Sequence, residues 1–151
     1  KSLNKILVFE IDNKIIKNLN ANLTKNYCKF NIFTKCLHFN QNTKSIKFYL
    51  NDDFLCNSKY EISKKPINIQ TISYNKINNF KKFNTLIIDA EGFEYDYIKG
   101  LNKVKNIKYI IFELHNNLLS TKKIKIIFKE LEKNKFHLKD KCFNSYYFSK
   151  I

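Results

Sequence analysis

The reading of this chain turns on Thr85-Leu86-Ile87-Ile88-Asp89-Ala90-Glu91-Gly92-Phe93-Glu94-Tyr95-Asp96-Tyr97-Ile98-Lys99-Gly100. Residues 85–88 form a short, continuous apolar run, the pattern of a strand buried on both faces in a parallel sheet. Asp89, Glu91 and Glu94 follow it directly. Gly92 permits positive φ or close approach of a ligand, and Gly100 suits a left-handed cap that closes a short helix. An apolar strand that runs into acids and then a helix is the repeating unit of an α/β domain.

The flanking segments repeat the pattern. Ile6-Leu7-Val8-Phe9 is a second apolar run, ending in Glu10, and Asp12 is placed to cap a helix through about Asn26. Ile15, Ile16, Leu19 and Leu23 would share one face of that helix. Residues 30–37 read as a strand, 45–50 and 67–72 alternate as half-buried strands, and 51–66 is polar and turn-rich, a loop. Residues 108–114 form a third buried strand ending at Glu113 and His115. Ser120 or Thr121 caps a helix with Ile124, Ile127, Phe128 and Leu131 at helical spacing, and 136–138 with 146–149 make an antiparallel pair. The expected fold is a single α/β domain over 1–151, with a mostly parallel sheet and an antiparallel C-terminal hairpin. Such sheets bind ligands beyond the carboxyl ends of their strands. Three strand ends deliver Glu10, then Asp89, Glu91 and Glu94, then Glu113 with His115, to that edge.

Composition excludes several classes. With 44% hydrophobic residues, 14 Phe and 9 Tyr, the chain is not a disordered tail. No apolar run reaches the roughly 18 residues of a membrane span, and there is no signal-peptide core. The net charge of +15 comes from 28 lysines and no arginine, dispersed along the chain. Lys, Asn (22) and Ile (21) dominate, a skew expected from AT-rich codons. Specific nucleic-acid sites favour bidentate arginine, so no specific nucleic-acid partner is expected. Cys28, Cys36, Cys56 and Cys142 lack metal-ligand spacing and read as reduced thiols of a cytoplasmic protein. His38 and His137 read as surface or strand-edge residues. The chain holds no methionine and begins with lysine, so a preceding segment is expected.

The string Leu86 to Gly100, L-I-I-D-A-E-G-F-E-Y-D-Y-I-K-G, resembles the signature of FkbM-family S-adenosylmethionine-dependent methyltransferases. V-F-E-I-D at Val8 to Asp12 is similar to that family's strand-end F-E-P-D, with Ile11 where the family has proline. I-Q-T-I-S-Y-N-K-I at Ile69 to Ile77 and I-I-F-E-L-H at Ile110 to His115 resemble the segments on either side of the signature strand. The resemblance covers roughly Ile6 to Ser149. It implies a Rossmann-like methyltransferase sheet whose first strand and Gly-rich loop lie before Lys1. That first strand is central in such folds, between the second and the fourth, so this chain alone would be inactive.

What the resemblance implies for function is transfer of a methyl group from S-adenosyl-L-methionine to a hydroxyl of a sugar or other small metabolite. Such a reaction needs a donor pocket, a positioned base and an acceptor cleft. Glu10 would accept the donor's ribose hydroxyls through its two oxygens, with Asp89 and Glu91 also in the donor site. Asp89 and His115 are the catalytic candidates, since a histidine near pKa 6.5 at a strand end is the best general base in the chain. Glu94 and Glu113 are candidates for substrate contact or for a divalent metal such as Mg²⁺ or Mn²⁺. The residues alone admit simpler readings: carboxylates near helix N-termini stabilise the helix, and His115 reads as a hydrogen-bonded structural residue. On those readings the chain is a noncatalytic α/β binding module or a degenerate methyltransferase fragment.

Overall fold

The computed structural model describes residues 5–26, 29–39, 43–50, 65–77 and 80–150. Strand β1 (Lys5–Phe9) leads into helix α1 (Asn13–Lys25). Asp12 starts the helix as expected, its carboxylate accepting the Lys14 N–H at 2.8 Å. Ile15, Ile16, Leu19 and Leu23 form its half-buried stripe. Strand β2 (Lys29–Phe33) returns parallel to β1, and the stacked rings of Phe9 and Phe33 lie 5.2 Å apart.

The single strand expected over 30–37 is two. The chain bends at Thr34 and Lys35, and β3 (Cys36–His38) joins a different sheet, which carries Leu37 into the main core. There β3 runs parallel to β5 (Lys65–Ser73), which pairs antiparallel with β4 (Ser45–Leu50). The end of the expected 51–66 loop is therefore strand, and 51–64 lies outside the described residues.

The C-terminal half contains β6 (Thr85–Ile88), α2 (Glu94–Lys99), β7 (Tyr109–Glu113), α3 (Thr121–Lys133), β8 (Phe136–Cys142) and β9 (Ser145–Lys150). Ser120 caps α3 by accepting the Lys123 N–H. The sheet order is β6-β7-β9-β8, with β6 parallel to β7 and β9 antiparallel to both its neighbours. The hairpin thus inserts its second strand against β7. The described strands form three sheets, and parallel and antiparallel pairings are equally represented, so the architecture is mixed α/β rather than mostly parallel.

The core lies on one face of this four-stranded sheet. Ile98 of α2 and Ile127 and Leu131 of α3 pack with Ile88, Ile110, Phe112 and Phe148, all buried. Full burial of such side chains contributes about 1.5–3 kcal/mol each. The apolar runs at 85–88 and 108–114 predicted burial on both faces, and the structure corrects this. Ile87 pairs with Ile111 on the opposite face and is 71% exposed, and Tyr109 and Ile111 are exposed beside it. Both helices cover one face, and the described residues leave the other open at Ile87.

Gly100 also differs from expectation. Its φ of −85° is right-handed, and its N–H bonds to the carbonyls of Asp96 and Tyr97, so no left-handed cap is needed. Glycine is required for space instead: a Cβ there would stand 2.8 Å from Phe39 Cβ and 2.9 Å from its Cδ2.

Candidate functional site

The loop after β6 is built on two consecutive left-handed residues, Glu91 at φ 43° and Gly92 at φ 99°. Gly92 has the positive φ that its residue type allows, whereas Glu91 holds a conformation that few non-glycine residues adopt. The Phe93 N–H closes the turn on the Ala90 carbonyl at 3.0 Å. Asp89, Glu91 and Glu94 thereby converge on one side chain, His115, two residues beyond β7.

Glu94 anchors the cluster. Its side chain is fully buried, and its Oε1 accepts the Gly92 N–H at 3.1 Å and the His115 Nδ1–H at 2.7 Å. Its Oε2 has no hydrogen-bond partner among the described residues. A buried carboxylate left unpaired would be costly, and the imidazole supplies the compensating charge. On the other side of the ring, Nε2 lies 3.3 Å from Glu91 Oε1 and 3.8 Å from Asp89 Oδ1.

Three surrounding carboxylates change the character of His115. Its pKa is pushed up to about 9, first by the hydrogen bond to Glu94, against opposing burial, and then by the charges of Glu94, Glu91 and Asp89. The sequence reading placed a base near pKa 6.5 here; the structure places an imidazolium that keeps its proton at neutral pH. Glu91 is raised above the usual carboxylate range, chiefly by burial, although His115 pulls it down while Asp89, Glu94 and Glu113 push it up. Glu113 reaches the cluster only in this electrostatic way: the compact group of ligating atoms, all within 4.8 Å of one another, is Asp89, Glu91 and His115.

A cavity of about 250 Å³ adjoins the cluster, between the carboxyl ends of β1 and β6. It gathers Glu10, Asp12, Asp89 and Glu91 against walls that include Phe9, Ile15, Phe48, Phe93 and Tyr97. Of the strand-end residues expected at one edge, Glu10, Asp89 and Glu91 line this cavity, and Glu94, Glu113 and His115 do not. Glu10 is arranged differently from the sequence reading. Its Oε1 is already occupied by the N–H groups of Ile11 at 2.7 Å and Asp12 at 2.9 Å. Ile11 donates the first of these bonds, which a proline at this position could not do.

Cys36, Phe48, Phe93 and Tyr97 escaped the sequence reading because aromatic rings and a thiol look like ordinary core. The Cys36 Sγ lies 3.3 Å from the Tyr97 Oη, joining β3 to α2 at the cavity wall. Burial first, and Cys36 second, hold the Tyr97 hydroxyl well above its usual pKa. No family model matches the chain and no curated protein matches it, so a function for this site has to be argued from its residues.

Proposed function

We propose that the cavity binds the nucleoside part of S-adenosylmethionine and that the site transfers its methyl group to a hydroxyl of a sugar or other small metabolite. The observation that carries this reading is the charge of the cavity. Four of the chain's 13 acids line it and none of its 28 lysines does, among the described residues. Such a lining selects a ligand that is cationic and partly apolar, which describes a sulfonium attached to a nucleoside. The aromatic walls suit a flat base, and Glu10 Oε2 suits ribose hydroxyls. The volume is slightly below the roughly 300–1,000 Å³ of small-molecule sites, in keeping with one part of the donor.

The placement of β1 and β6 supports the same reading. β1 pairs only with β2, and β6 only with β7, among the described residues. A central strand between them, with its Gly-rich loop, would join the two sheets and complete the donor site. When bound, the donor supplies a methyl group already activated for displacement. The chain's own residues then have two tasks. Asp89, 67% exposed at the mouth of the cavity, takes the acceptor's proton as the new bond to oxygen forms. His115, charged at neutral pH, holds the carboxylates together around that point.

The test is a nuclear magnetic resonance titration of this chain with millimolar S-adenosylmethionine, which detects weak binding. Amide shifts are expected at residues 10–12 and 89–93. Glu10→Gln keeps a carbonyl oxygen for the Ile11 and Asp12 N–H groups but removes the charge, and should weaken binding about tenfold. No shifts at these residues, or equal affinity in the folded variant, would overturn the reading.

A further inference from the structure

We propose that Asp89, Glu91 and His115 form a binding site for a first-row divalent cation, manganese(II) above all, with Glu94 holding His115 in its ligating orientation. The three ligand atoms come from the β6 turn and the end of β7 and lie within 4.8 Å of one another. His115 Nε2 is 3.3 Å from Glu91 Oε1 and 3.8 Å from Asp89 Oδ1. Both separations exceed the roughly 2.7–2.9 Å of a charge-assisted hydrogen bond, so the carboxylates are paired with the ring loosely enough to admit an ion. Taken pair by pair, an ion about 2.1 Å from Nε2 and from one oxygen would see the Glu91 pair at roughly 105° and the Asp89 pair at roughly 130°. Rotation of the exposed Asp89 side chain adjusts the wider angle.

Glu94 is the independent observation that points to a ligand. It is 0% exposed, one oxygen takes the His115 Nδ1–H at 2.7 Å, and the other has no partner among the described residues. A carboxylate on the far nitrogen fixes the imidazole tautomer that leaves the lone pair on Nε2, as in carboxylate–histidine–metal arrays. Binding of the ion releases the Nε2 proton of the metal-free protein, and the lone pair so freed would point toward Asp89 and Glu91. The donor set selects the ion: magnesium and calcium favour oxygen alone, whereas an imidazole with two carboxylates suits a first-row ion that still accepts oxygen. Asp89 at 67% exposure leaves the site accessible to the ion and its water. Asp89 and Glu91 also line the cavity, so the ion would stand at its mouth. Its place beside an acceptor hydroxyl rests on the methyl-transfer reading; the binding of the ion does not.

The experiment titrates manganese(II) into chelator-treated protein, following free ion by electron paramagnetic resonance and heat by calorimetry. One ion per chain is expected. Asp89→Asn, at an exposed position, should fold normally and weaken binding at least tenfold. Glu94→Gln should weaken it about 10–100-fold, and Glu130→Gln, on α3, should leave it unchanged. Absence of saturable binding, or equal affinity in Asp89→Asn, would overturn the site. No S-adenosylmethionine is present in this titration. Metal binding without donor shifts at the cavity would therefore overturn the methyl-transfer reading alone, and donor shifts without metal binding would overturn the site alone.

Discussion

Glu94 and His115 set the protonation state of the acidic edge, and their coupling has a measurable sign. The folded pKa of His115 is about 9, above the roughly 6.5 of an unfolded chain. A raised histidine contributes stability that is fully present below about pH 6.5 and is lost as pH rises through about 9. Metal-free protein should therefore melt at a lower temperature at pH 9.5 than at pH 6.5. His115→Gln should flatten that slope, because it removes the proton that Glu94, Glu91 and Asp89 retain. Equal slopes in thermal melts of the two proteins would show that the cluster does not hold the charge. The same arithmetic bears on catalysis: an imidazolium at pH 7 positions carboxylates and does not collect a proton. In the neighbouring turn, Gly92→Ala forces an L-residue to φ 99°, at a cost of about 1–3 kcal/mol. Chemical denaturation should show that loss, together with weaker manganese(II) binding as Asp89, Glu91 and Glu94 lose their common focus.

The α2 helix and the 3₁₀ turn after it meet at Gly100, where the chain presses against Phe39. Gly100→Ala places a methyl group 2.8 Å from Phe39 Cβ, an overpacking that costs about 1–3 kcal/mol. Better helix propensity returns at most about 1 kcal/mol. A net loss is expected in urea denaturation, with an unchanged m-value. The contrast between expected and observed Gly100 shows which parts of a sequence are legible. The apolar stripe of α1, the Asp12 and Ser120 caps, and the placement of β1, β6 and β7 follow from local periodicity and capping chemistry, and all were readable. The bend at Thr34 and Lys35, the space taken by Phe39, and the Cys36–Tyr97 contact depend on partners distant in sequence. Glu10 and Asp89 were readable as strand-end acids, and they meet at one cavity although β1 and β6 lie in separate sheets among the described residues. The exchange of Glu10 Oε1 for backbone N–H groups, and the seating of Glu94 on His115, required side-chain geometry that no spacing encodes.

At the scale of the whole molecule, acids gather around one cavity in a chain of net charge +15, while an apolar surface lies open elsewhere. Ile87 at 71% exposure stands on β6, an edge strand among the described residues, next to the exposed Ile111 and Tyr109. An unpaired edge beside a contiguous apolar face invites strand pairing between copies. The dispersed lysines oppose this through repulsion, which salt screens over about 8–10 Å at ordinary ionic strength. Self-association of residues 1–151 should therefore increase with salt, the reverse of a contact held by charge. Ile87→Lys places a charge on the open face and should suppress light scattering at every salt concentration. At so exposed a position it should change stability by no more than about 0.5 kcal/mol. Ile88→Lys, one residue on, points into the core at 4% exposure and should unfold the chain. If Ile87→Lys instead destabilised the fold as severely as Ile88→Lys, the face around Ile87 would be packed rather than open, and self-association would have to run through another surface.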